Sequence, residues 1–153
     1  MSKANRFLHY FLSHRDVTNE LIGKISKDHY QYKPTETSMT ASKLVTHMLE
    51  SFYKFAATAK AGNPSAFQEK TEEESDLQKL AELYTDKTRR ILESFSDSDF
   101  EKEIDVSAMF GRNMSARQFL QVALDHEIHH KGSLFVYVRE MGHTDLPMFV
   151  KRG

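Results

Sequence analysis

The chain contains no cysteine at all. Disulfide scaffolds, thiolate metal sites and a cysteine nucleophile are therefore excluded, and any sulfur chemistry needs a thiol supplied from outside. Glycine (6) and proline (3) are scarce and fall between long segments of helical period, which predicts a mostly helical domain with few breaks. Neither sign of charge dominates: 21 Lys and Arg stand against 22 Asp and Glu, so no net field would draw nucleic acid or an anionic membrane without a local patch. The basic residues are scattered, and the only tight group, Lys87, Arg89 and Arg90, reads as a solvated helix face. No segment approaches the roughly 20 apolar residues of a membrane span. The N-terminal stretch, interrupted by His9, Arg15 and Asp16, lacks the apolar core of a signal peptide. A soluble cytoplasmic protein is expected, with neither a nucleic-acid nor a membrane partner. A length of 153 residues suits one domain, residues 1–153, burying roughly two-thirds of its unfolded surface.

Four long helices can be read from apolar spacing. In the first, from about Lys3 to Ser26, Phe7, Leu8, Phe11, Leu21, Ile22 and Ile25 recur mainly three and four residues apart. His29 to Met39, with Pro34 and several Ser and Thr, reads as a connection. The second helix starts near Thr40, buries Leu44, Val45, Met48, Leu49, Phe52, Phe55 and Ala56, and stops before Gly62-Asn63-Pro64. Ser75-Asp76-Leu77-Gln78 resembles a capping box and opens a third helix that runs to about Ser94. From Ser96 to Asn113 the period is lost, and Ile104 to Phe110 reads as a short extended piece or small hairpin. Ser115-Ala116-Arg117-Gln118 is a second capping box, opening a last helix that buries Phe119, Leu120, Ala123, Leu124, Leu134, Phe135, Val138 and Met141 before Gly142. The expectation is an all-α four-helix bundle with at least one longer crossover.

The chemistry is concentrated in His126-Glu127-Ile128-His129-His130. On a helix, residues four apart stack on one face, so His126 and His130 can converge on one cation. Such a pair is half a site, because a zinc-like ion takes at least three protein ligands, with an open position if the site is catalytic. Of the other histidines, His9, His14, His29 and His143 read as partly exposed or hydrogen-bonded surface residues. His47 differs: it sits mid-helix beside Met48 and Leu49, near the buried seam. Bundle metal sites are built from facing helices, which makes His47 the best partner for the pair.

With those residues in view, the sequence resembles the DinB-like (DinB/YfiT) superfamily of bacterial four-helix-bundle metalloproteins, some of which are thiol-dependent transferases. The resemblance rests on Leu44-Val45-Thr46-His47-Met48-Leu49 and on Asp125-His126-Glu127-Ile128-His129-His130-Lys131-Gly132, with Tyr32-Lys33-Pro34 and Gly142 to Met148 in support. Ser133 stands where the family often has glutamine. The resemblance implies that His47, His126 and His130 bind one divalent metal, commonly nickel or zinc in relatives, with water in the remaining positions. It implies a frequent homodimer, and it places His129 beside the site or on the surface.

Three functions are then open. A metal-dependent S-transferase would take a small-molecule thiol (bacillithiol, mycothiol or glutathione in relatives) and an electrophilic substrate, the metal lowering the thiol pKa. A metal-dependent hydrolase would read His126-Glu127-x-x-His130 as HExxH with Glu127 as base, although the metzincin continuation is missing and Glu140 follows on the same helix. A stress-response protein without catalysis would hold a closed site, with Glu50 a conceivable fourth ligand. Glu50, Asp125 and Glu127 are candidates to orient the ligating rings, and Phe52, Tyr53 and Phe55 to line a pocket, though they read more readily as core.

Overall fold

The computed structural model describes residues 1–152. Helix α1 spans Lys3–Gly23, α2 Ala41–Ala61 and α3 Leu77–Glu93. Two short helices follow, α4 (Asp97–Glu101) and α5 (Ser107–Phe110), before α6 (Ala116–Glu140). Single 3-10 turns lie at Lys27–His29 and Pro64–Gln68. The long helices begin where side-chain oxygens can satisfy free backbone N–H groups: Ser2, Thr40, Asp76 and Ser115 each accept from the N–H three residues on. Ser115 and Gln118 form the expected capping box. The cap of α3 is Asp76, one residue later than the Ser75 box predicts. An aspartate in the extended conformation does the same work there. Gly62 ends α2 in the left-handed conformation, at φ 87°.

Two apolar clusters fix how the helices run. One joins the starts of α1 and α6 (Leu8, Phe11, Phe119, Leu120) to the ends of α2 and α3 (Phe52, Phe55, Leu92). The other joins the ends of α1 and α6 (Val17, Leu21, Leu134, Val138) to the starts of α2 and α3 (Leu44, Val45, Leu80, Tyr84). Helices α1 and α6 are therefore parallel, and α2 and α3 run opposite to both. Since α2 and α3 point the same way, the chain between them must return along the whole bundle, which is the expected longer crossover. Residues 62–76 do this beside α2: Phe67 packs on Phe55, Glu69 accepts from the Tyr53 hydroxyl at 2.9 Å, and the Thr71 hydroxyl reaches Glu50.

The stretch without helical period contains more structure than the sequence shows. Glu103–Ile104 (β1) and Met114–Ser115 (β2) pair antiparallel, with Glu103 opposite Ser115. The hairpin exists, but Ser107–Phe110, expected as part of the extended piece, is helical and forms its tip. Gly111, at φ 77°, closes that turn. Among the described residues no helix is long and apolar enough to cross a membrane.

Candidate metal centre

Helix α2 packs against α6, and their shared seam positions the histidines. Leu44, Val45, Met48 and Leu49 face the core and leave His47 at its solvent edge. On α6, Ala123, Leu124 and Leu134 are buried, and the half-buried His126 and His130 project toward α2. The structure brings all three expected rings together. The Nε2 atom of His126 lies 3.0 Å from that of His47 and 3.1 Å from that of His130. One nitrogen from each ring falls within 4.8 Å of the other two.

This donor set fits a cation better than it fits itself. A neutral imidazole nitrogen offers one in-plane lone pair or one proton, so His126 Nε2 cannot satisfy two approaching nitrogens by hydrogen bonding. Nitrogens bound to one ion at about 2.0–2.1 Å stand about 2.9–3.4 Å apart, the separation of His126 from each of its two neighbours. Burial pushes all three rings below the ordinary histidine pKa, with neighbouring imidazoles adding to the effect at His126 and His130; His130 falls to about 4. Their lone pairs are therefore free at neutral pH.

The expected supporting residues are placed differently. Ser51 Oγ, 3.4 Å from His47 Nδ1, is the group beside that ring. Glu50 is not a fourth ligand, because its carboxylate accepts from Lys54 Nζ at 2.7 Å and from Thr71. Asp125 accepts from Gln121. His129 is exposed and stacks edgewise on His130 with ring centroids 4.8 Å apart. Three imidazoles with no protein carboxylate among them leave the rest of the coordination sphere open. Phe55, 6.2 Å from the His126 ring, and Phe110, 6.0 Å from Phe55, form an apolar wall on one side. On the other, a depression of about 400 Å³ beside His130 is lined by Ser38, Met39, Ser133 and Tyr137.

Glu127 faces away from this centre. It is 1% exposed and takes a two-pronged contact from the fully buried Arg15, whose Nε lies 2.9 Å from Oε2. Thr18 donates to the same oxygen at 3.0 Å, and a second arm of Arg15 reaches Thr85 at 3.1 Å. One turn on, buried Lys131 donates to His14 Nδ1 at 2.6 Å and to the carbonyl of Phe149, pinning the C-terminal segment. His14 is thus core, 3% exposed, and not the surface histidine expected. The sequence did carry a trace of this layer: Arg15 lies four residues from Phe11, while Glu127 and Lys131 continue the stripe Leu120, Leu124, Leu134 and Val138. Charges at core positions of a helix mark a buried network.

A bundle with parallel outer and inner helix pairs and three imidazoles converging between α2 and α6 defines a class of helical protein able to hold a metal ion on an open face. The DinB family model matches residues 1–152, and the chain belongs to the DinB family. It is 57% identical over 153 residues to uncharacterized protein YjoA of Bacillus subtilis (strain 168), covering 99% of both proteins. The crystal structure of a DinB-like protein, YjoA from Bacillus subtilis, superposes with a TM-score of 0.90 at 53% identity, over 96% of this chain and 99% of that one. A DinB-like protein from Bacillus cereus ATCC 10987 shares the fold, with a TM-score of 0.70 at 19% identity over 93% of this chain and 94% of that one.

Proposed function

We propose that this protein is a metal-dependent S-transferase, in which His47, His126 and His130 hold one divalent ion, nickel or zinc, and the thiol arrives as a cosubstrate. The observation that carries this reading is the convergence of three imidazoles beside an open face. When bound, the ion would lower the pKa of a coordinated low-molecular-weight thiol, so that a thiolate is present at neutral pH. Such a thiolate would be able to attack an electrophilic carbon, the leaving group departing with the bonding pair and the thiol proton passing to solvent. The chain's own residues supply the rest. Ser51 restrains the His47 ring, Phe55 and Phe110 shield one side of the face from water, and the buried Arg15–Glu127 pair fixes the turn of α6 that bears both other ligands.

A hydrolase of the HExxH type is disfavoured by the same geometry. Its general base must reach a metal-bound water, whereas both Glu127 oxygens are engaged by Arg15 and Thr18 inside the bundle.

Two measurements test the proposal together. Elemental analysis of untagged protein should find one equivalent of metal in the wild type and little in His47→Ala or His130→Ala; equal metal in all three would exclude the triad. Conjugation of bacillithiol, mycothiol or glutathione to a reactive electrophile should be accelerated by the metal-loaded protein. If none of the three reacts faster than with metal-free protein, the transferase reading fails while the metal site stands.

A further inference from the structure

The fold gathers basic residues that the sequence scatters. Where α1 and α6 begin, a depression of about 890 Å³ opens beside α4 and the hairpin. Lys3, Arg6, Arg112 and Arg117 all line it, against a single lining carboxylate, Glu101. Glu101 is shared between Lys3 at 3.6 Å and Arg117 at 3.3 Å, whereas Arg6 binds only the Met1 carbonyl and Arg112 has no carboxylate partner among the described residues. Three positive charges are thus left over in one place on a chain whose net charge is −1. The same lining carries apolar surface: Phe7 and Phe100 pack with ring centroids 5.9 Å apart, Val122 adjoins them, and Tyr10 is 52% exposed.

We propose that this depression is a second ligand site, separate from the three-histidine centre, for a small anion carrying a flat apolar body, such as an aryl carboxylate or aryl phosphate. Its volume lies within the roughly 300–1,000 Å³ of small-molecule pockets. A guanidinium presents a planar fork of donors that matches a carboxylate or phosphate oxygen pair, and two guanidiniums here lack such a partner. The aromatic and aliphatic lining would cover the apolar body. None of the three clustered histidines lines the depression, so the site stands whether or not the transferase reading does. The charge asymmetry favours an anionic occupant over a second copy of this nearly neutral chain.

The test uses 8-anilinonaphthalene-1-sulfonate and its uncharged counterpart N-phenyl-1-naphthylamine, titrated by calorimetry. The sulfonate should bind one to one, and at least about tenfold more tightly than the neutral dye, as expected for charge-assisted hydrogen bonds. Arg6→Gln/Arg112→Gln should erase that preference without changing the melting temperature, and Val122→Asp should weaken the sulfonate further. His47→Ala should leave binding unchanged. Equal affinity for the two dyes, or an unchanged sulfonate affinity in the arginine variant, would overturn the site. So would sedimentation showing a wild-type dimer that the arginine substitutions dissociate, which would assign the surface to a second copy.

Discussion

A carboxylate that follows a metal ligand in sequence can serve the ion or the fold, and at Glu127 the fold claims both oxygens. Consecutive residues on a helix point about 100° apart, so His126 turns to α2 while Glu127 turns to Arg15 on α1. Glu127→Gln would leave a buried guanidinium without its counter-charge, a loss of about 3–5 kcal/mol. Urea denaturation should show that drop, while Arg15→Met/Glu127→Leu should be less unstable than Glu127→Gln alone. An unchanged midpoint would mean that the pair contributes nothing. The HExxH string hid this role because a motif states spacing, and spacing alone does not say which face of α6 meets which neighbour. His14 gives a second prediction. Burial and the Lys131 ammonium lower its pKa, against a smaller opposing pull from Glu127. Its folded pKa lies below the unfolded value of about 6.5, so its contribution is complete above that pH and lost as pH falls toward the folded value. His14→Gln keeps an acceptor for Lys131 and takes up no proton. As pH falls below about 6.5 the wild type should lose stability relative to this variant; parallel pH profiles would refute the assignment.

At the scale of elements, the long helices were legible because apolar spacing and capping residues agree. Thr40 and Ser115 cap where expected, and the apolar residues expected in the core are buried in α2 and, apart from the half-buried Phe135 and Met141, in the last helix. What escaped was the segment from Ser96 to Asn113, where elements of two to five residues are too short to show a period and are held by tertiary contacts such as Ala116 N–H to the Lys102 carbonyl. Two glycines separate the roles this residue plays. A Cβ on either Gly62 or Gly132 would meet nothing within 4 Å, but Gly62 has φ +87° and Gly132 lies inside α6. Gly62→Ala should cost about 1 kcal/mol through left-handed strain. Gly132→Ala should add about 0.5–1 kcal/mol through helix propensity. Thermal unfolding of the two variants should move in opposite directions, and a shared direction would show that packing outweighs the backbone at one of them.

For the whole molecule, the polar layer divides the core into its two apolar clusters, and the histidine centre lies at the same level in the seam between α2 and α6. The partner of the His126/His130 pair was readable because His47 sits mid-helix beside the core residues Met48 and Leu49; His14, equally flanked by core on α1, was missed as a buried residue. The buried layer was not readable, since pairing Arg15 with Glu127 needs α1 and α6 to lie side by side and parallel, a relation fixed only when the 62–76 crossover sets the direction of α3. An ion held by His47 on α2 and by His126 and His130 on α6 would tie two antiparallel helices together in the folded state alone. Mass action then requires it to stabilise the fold, by about 2.7 kcal/mol at a hundredfold excess over Kd, or roughly 5–10 °C in a domain of this size. Chelation should reverse the shift. Both helices must share the ion for this to hold, so His47→Ala should lose most of the metal-dependent gain even though its metal-free melting temperature changes little. A full shift retained in His47→Ala would place the ion on α6 by itself, and the centre between the two helices would have to be abandoned.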